Sequence, residues 1–114
     1  MPHISIEQQF TDAFGELTLL FQTSLPGRLV EIEATWDQAK LAGASRESIR
    51  KLHRLLHSLV GTSGTFGFKQ LSEKARSIEY TVEALMATDV FSDEDLKQLE
   101  FEFGVLRVMA VETR

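Results

Sequence analysis

From Phe68 onward, Phe68, Leu71, Ala75, Ile78, Val82 and Leu85 follow at steps of three, four, three, four and three. That spacing puts all six on one face of an α-helix. A strand would need a period of two. The helical period recurs along the chain. Phe10, Phe14, Leu17 and Phe21 form one stripe, and Leu25, Leu29, Ile32 and Trp36 continue it. Ile49, Leu52, Leu56, then Leu59 or Val60, and Ser63 trace another. Leu96, Leu99, Phe103, Leu106 and Ala110 form the last. Each stripe must be buried against a neighbour. Short connections between such helices predict an all-α fold: an antiparallel four-helix bundle with an additional N-terminal helix or helical extension.

Local signals place the boundaries. Ser5-Ile6-Glu7-Gln8 reads as a capping box. Gly15 softens the first segment, so two helices are possible there. Pro26 lacks a backbone donor and is expected to kink any helix through it. Gly43 suits a C-terminal cap and Ser45 an N-cap. Gly64 to Gly67 should end the next helix, and Thr88 to Phe91 reads as a loop. Ser92 opens the last helix, with Asp93, Glu94 and Asp95 near its positive end. The phenylalanines fit the core. Phe101, Val105 and Val108 lie off the last stripe and either pack on the N-terminal helix, the favoured reading, or form an interface.

The chain has 114 residues, which suits a single domain over 1–114. Its net charge of -5 speaks against a nucleic-acid partner, which favours a basic stripe. It has no cysteine, which excludes disulfides, thiolate metal sites and thiol catalysis. No apolar run approaches the length of a membrane span, and Met1-Pro2-His3 does not open a secretion signal. A cytoplasmic protein away from membranes is the expectation.

One run stands apart from this regular pattern: His57-Ser58-Leu59-Val60-Gly61-Thr62-Ser63-Gly64-Thr65-Phe66-Gly67. Glycine in a helix interior costs about 1 kcal/mol relative to Ala. Gly61 and Gly64, so close to a histidine, ask for a reason. Bare backbone there admits something large, such as a phosphoryl group or a docking protein. At about 100 degrees per residue, His57 falls roughly 80 degrees from the middle of the buried stripe. It should be supported by the bundle and still reachable from water. Its neighbours on that face are His53, Arg54, Val60, Gly61 and Gly64.

On the following helix, Ser72, Arg76, Glu79 and Glu83 each lie one step beyond the buried stripe. Antiparallel packing brings that edge to His57. A carboxylate bonded to one ring nitrogen fixes the tautomer and frees the other nitrogen as a nucleophile. Glu79 is the candidate for that role. Arg76, one turn earlier, is placed to screen a transferred phosphoryl group. His53 and His57 have a spacing that can bind zinc, but no third ligand other than Glu79 is evident, so no metal site is expected.

In these residues the chain resembles the histidine phosphotransfer (HPt) domain of two-component phosphorelays. The family pattern is His-x-Leu-Lys-Gly, then small residues, an aromatic and Gly. Here it reads His57-Ser58-Leu59-Val60-Gly61, then Thr65-Phe66-Gly67-Phe68. The stretch is most similar to the phosphotransfer domain of chemotaxis histidine kinases. Leu52-His53-Arg54-Leu55-Leu56 and Leu71, Ala75 and Ile78-Glu79 extend the likeness.

The resemblance implies that His57 carries phosphate on its outward nitrogen. It would exchange it with an aspartate of a response-regulator receiver domain, or within a hybrid histidine kinase. It implies too that a polar residue 22 positions later, Glu79, orients the ring. The protein would be a relay intermediate and not an enzyme. It shows no phosphate loop of the GxxxxGK type. It would need no cofactor of its own, because Mg²⁺ would sit in the receiver. HPt domains are commonly monomeric, and a monomer is expected.

One departure is Val60, where the family often has Lys. The phosphoryl charge then falls to Arg76, Lys69 or Arg54, with Arg76 favoured by its helical face. Val60 would instead extend an apolar docking surface with His53 and Arg54. It also motivates an alternative, an HPt-like docking module that binds a receiver or kinase without carrying phosphate. An unrelated dimerisation bundle is disfavoured, since its helix would gain from Ala at Gly61 and Gly64.

Overall fold

The structure is a computed structural model that describes residues 5–41, 46–88 and 91–113. It has four helices: α1 (Ile6–Ala39), α2 (Arg46–Thr65), α3 (Lys69–Thr88) and α4 (Asp93–Glu112). No strand occurs among the described residues. Side-chain pairs fix the directions. Lys51 faces Glu31 at 3.9 Å and Phe66, just past α2, stacks on Phe21, so α2 runs against α1. Ser72 bonds the Val60 carbonyl while His57 meets Glu79, so α3 runs against α2. Trp36 bonds Glu100 and Gln22 bonds the Thr113 carbonyl, so α4 closes antiparallel on α1.

The core follows the stripes. Leu25, Ile32 and Trp36 of α1 meet Leu52, Leu56 and Leu59 of α2, Leu71, Ile78 and Val82 of α3, and Leu99, Phe103 and Leu106 of α4. Each large side chain so buried contributes about 1.5–3 kcal/mol. At the rim, Trp36 Nε1 donates to Glu100 Oε1 at 3.0 Å. Lys40 pairs with the same carboxylate and with Asp37. The Lys40 hydrogen bond holds the Glu100 carboxyl below its usual range, helped by Trp36 and opposed by partial burial. The Lys40 ammonium is raised in turn by Glu100 and Asp37.

α1 departs from expectation in three ways. It is one helix, passing through both Gly15 and Pro26. A proline inside a helix costs about 3 kcal/mol. Leu25 and Leu29 beside it are buried, as are Phe21, Ile32 and Trp36, and their combined burial outweighs that cost. The capping box is half formed. Ser5 accepts from the Gln8 N–H at 3.1 Å, but the Gln8 side chain turns to Asp12.

The third departure is that the phenylalanine stripe is not all core. Phe21 is buried, whereas Phe10 is 72% exposed, Leu17 52% and Phe14 39%. The reason is length. Thirty-four residues span about 51 Å and the other helices about 30 Å each, so α1 overruns the bundle. Phe14 still reaches Phe66, with ring centroids 5.4 Å apart. Among the described residues, no helix stands opposite Phe10. We expect Phe21→Ala to lower stability by about 3–5 kcal/mol in urea unfolding. Phe10→Ala should stay within about 0.5 kcal/mol of the wild type.

The last helix is capped as its sequence requires. Ser92 and Asp95 form a reciprocal capping box, with both bonds at 3.1 Å. Phe101 and Val108 do not pack on α1, however, and are exposed. They sit on the outer face of α4, where no fifth helix covers them among the described residues. Gly43 and Ser45 lie outside the described residues, as do two positions of the loop after Thr88.

Candidate functional site

α2 carries His57 at its edge, with 76% of the side chain exposed. Across the α2–α3 interface stands Glu79, only 7% exposed. His57 Nδ1 lies 2.6 Å from Glu79 Oε2. A carboxylate can only accept, so Nδ1 carries the proton and donates it. Nε2 is then left with its lone pair free, on a largely exposed ring. Glu79 sits deeper than the flanking position read from the sequence. A buried carboxylate is costly unless paired, and His57 supplies the hydrogen bond it needs.

The end of α2 is shaped by Gly67, whose φ is +85°. The Phe68 N–H bonds the Ser63 carbonyl at 2.9 Å and the Gly67 N–H bonds the Gly64 carbonyl at 3.2 Å. This pair of bonds is the Schellman cap, which favours a glycine in the left-handed region. It turns the chain straight into α3 and brings Glu79 back opposite His57.

The two helical glycines have different reasons. A Cβ on Gly64 would meet Ser72 Oγ at 3.2 Å, so Gly64 serves the close approach of α2 and α3. Gly64 is exposed as well, so this packing reason stands beside the expected place next to a phosphoryl group. A Cβ on Gly61 would meet nothing within 4 Å. Among the described residues, no side chain accounts for Gly61. It lines a shallow depression with His57, Ser58, Thr62, Thr65 and Phe66. Thr62 and Thr65 turn their hydroxyls back to carbonyls of their own helix, each at 2.8 Å, and so spend them inside α2. Sequence reasoning missed both threonines, although Thr65 stands only about 40 degrees from Gly61 on the helical wheel.

The surrounding residues are less uniform than expected. Val60 is buried, at 5% exposure, so it is core and not docking surface. It stands about 60 degrees from His57 on the side facing α3. His53 is not an outward docking group either. Its side chain is 26% exposed, and Nε2 lies 3.6 Å from both Glu79 Oε2 and Glu83 Oε2. Arg54 is exposed. Arg76 is exposed too, and its Nη1 lies 3.4 Å from the Tyr80 hydroxyl further along α3. That hydroxyl, with the nearby Glu79 charge, raises an already permanent cation. The structure thus joins His57 and Glu79 directly, keeps Gly61 beside them, and leaves Arg76 reaching along its own helix.

The family model of the Hpt domain matches residues 16–102. The chain belongs to the Hpt domain family. The matched span holds His57, Glu79 and the whole α2–α3 hairpin, and leaves out the first turns of α1 that overrun the bundle. Hpt domains are histidine phosphotransfer modules of two-component phosphorelays, without a nucleotide site of their own, and they interact with receivers and kinases. Neither the curated proteins nor the solved structures gave a match. No helix among the described residues is long and apolar enough to cross a membrane.

Proposed function

We propose that His57 is the phosphoacceptor of this Hpt domain and exchanges its phosphoryl group with an aspartate of a response-regulator receiver. The observation that carries this is the 2.6 Å bond from Nδ1 to Glu79, which leaves Nε2 as the nucleophile on an exposed ring. In the forward step the Nε2 lone pair attacks phosphorus of the aspartyl phosphate. The N–P bond forms as the acyl O–P bond breaks, and the aspartate leaves as a carboxylate. The ring keeps its Nδ1 proton and becomes cationic, and Glu79 faces that new charge. The reverse step returns the phosphoryl group to the receiver.

The receiver supplies the Mg²⁺ and acidic pocket that organise in-line transfer, so this chain needs no cofactor. The exchange belongs in the cytoplasm, on one 1–114 domain acting as a monomer. The Gly61 depression is where the partner comes close. Arg76 and Arg54 are the exposed cations nearest in sequence to the pair, and would screen the phosphoryl group after side-chain movement.

The reading is tested by nitrogen and phosphorus NMR on protein phosphorylated by a receiver. A phosphoryl group on Nε2 of His57 supports it. A phosphoryl group on another residue rejects it.

Gly61 gives a separate test. Gly61→Ala should raise stability by up to about 1 kcal/mol, since helix propensity improves and the space is open. Gly61→Trp should fold as well but weaken receiver binding at least tenfold by calorimetry. Unchanged binding would remove the partner from this depression.

A further inference from the structure

We propose that His53 is a positioning residue that orients Glu79 toward His57. This rests on the phosphoacceptor reading of His57 and adds a second histidine to its machinery. His53 lies one turn before His57, and the two rings are near parallel, with centroids 6.3 Å apart and planes 14° apart. His53 Nε2 is fully buried and makes no hydrogen bond. Buried polar atoms left without a partner are rare and ask for an explanation.

The explanation lies in what surrounds that atom. Glu79 Oε2 and Glu83 Oε2 are each 3.6 Å away, and both come from α3. Two carboxylates can only accept, so the nitrogen facing them carries a proton. The Glu79 oxygen it faces is the same one that receives the His57 Nδ1 proton. Two ring N–H groups therefore converge on one oxygen. The His57 bond fixes the tautomer, and the unbonded His53 N–H, 3.6 Å away, attracts the same oxygen and limits how the carboxylate turns away. Glu83 is 62% exposed and draws the same proton outward, so it marks the open end of the cleft. Groups that orient metal-ligating histidines change affinity or activity by about 10- to 100-fold when removed, and an effect at the lower end of that scale is expected here.

The test compares His53→Phe, which keeps a flat ring but loses the donor, with His53→Gln, which keeps an N–H at a similar reach. Two readouts are taken: the His57 ring-nitrogen shifts, and the single-turnover rate of phosphoryl transfer from a receiver. His53→Phe is expected to reduce the Nδ1-protonated fraction of His57 and slow transfer about tenfold. His53→Gln is expected to restore both. In a Glu79→Gln background, His53→Phe should add nothing. Should the phenyl ring unfold the bundle, His53→Leu replaces it in the same comparison. Unchanged His57 nitrogens together with a rate within twofold would overturn the proposal. If the wild type takes no phosphate, the relay reading falls, and the ring nitrogens alone still decide the role of His53.

Discussion

His57→Gln is expected to abolish phosphoryl acceptance completely while leaving the fold intact. The amide has no nucleophilic nitrogen, so the N–P bond cannot form at this position. The fold survives because the side chain is 76% exposed and contributes little to the core. Exposed substitutions of this kind stay within about 0.5 kcal/mol. Receiver binding should persist, because Gly61, Thr62, Thr65 and Phe66 still line the docking depression. Transfer is read by radiolabel from a phosphorylated receiver, and stability by urea unfolding. Residual histidine label on the variant would move the acceptor elsewhere.

Glu79→Gln is expected to slow transfer by about 10- to 100-fold without lowering stability. The carboxylate does two things. It selects the tautomer with Nδ1 protonated, and it faces the cation that forms when Nε2 takes the phosphoryl group. An amide can still accept from Nδ1, but without charge, or can turn its donor to the ring and favour the wrong tautomer. The loss stays below the roughly 10⁴-fold seen when a protease triad loses its orienting carboxylate, because the receiver supplies most of the catalysis here. Stability behaves differently. Breaking a buried ion pair costs about 3–5 kcal/mol when an unpaired charge stays buried. Here the remaining partner is an exposed imidazole, and the buried charge itself is what disappears. Rate and stability therefore separate. A variant that transfers normally, or that loses rate only because it unfolds, would contradict the assignment.

The helices were legible because the three-four spacing is dense where burial is dense. Leu71, Ala75, Ile78, Val82 and Leu85 were assigned to one face, and all five are buried. Periodicity says which face is apolar but not whether anything stands opposite. Phe10 and Phe21 share a face, yet Phe21 packs on Phe66 and Phe68 of the α2–α3 turn while Phe10 stays exposed. The same blindness applies to Phe101 and Val108. Continuity through Pro26 was hidden because a local cost of about 3 kcal/mol is visible in sequence, while the burial that offsets it belongs to the tertiary fold.

At the site, His57 and Glu79 were legible as edge residues of two antiparallel stripes. Val60 carries two readings, a stripe position and a docking residue, and only the first holds, because three residues after His57 a side chain turns about 60 degrees toward α3 instead of outward. Gly64 carries an ambiguous signal. A helical glycine looks the same in sequence whether it makes room for a partner or for Ser72 on the next helix. His53 reads in sequence as a surface residue, and only the packing of α2 on α3 shows its Nε2 closed in against Glu79.

The most direct measurement mixes a phosphorylated receiver with this protein and follows the label through acid and alkali. The account predicts label on the wild type that is stable to alkali, lost in acid and mapped to His57. Docking of the receiver with no transfer of label, or acid-stable label on a hydroxyl residue, would contradict it.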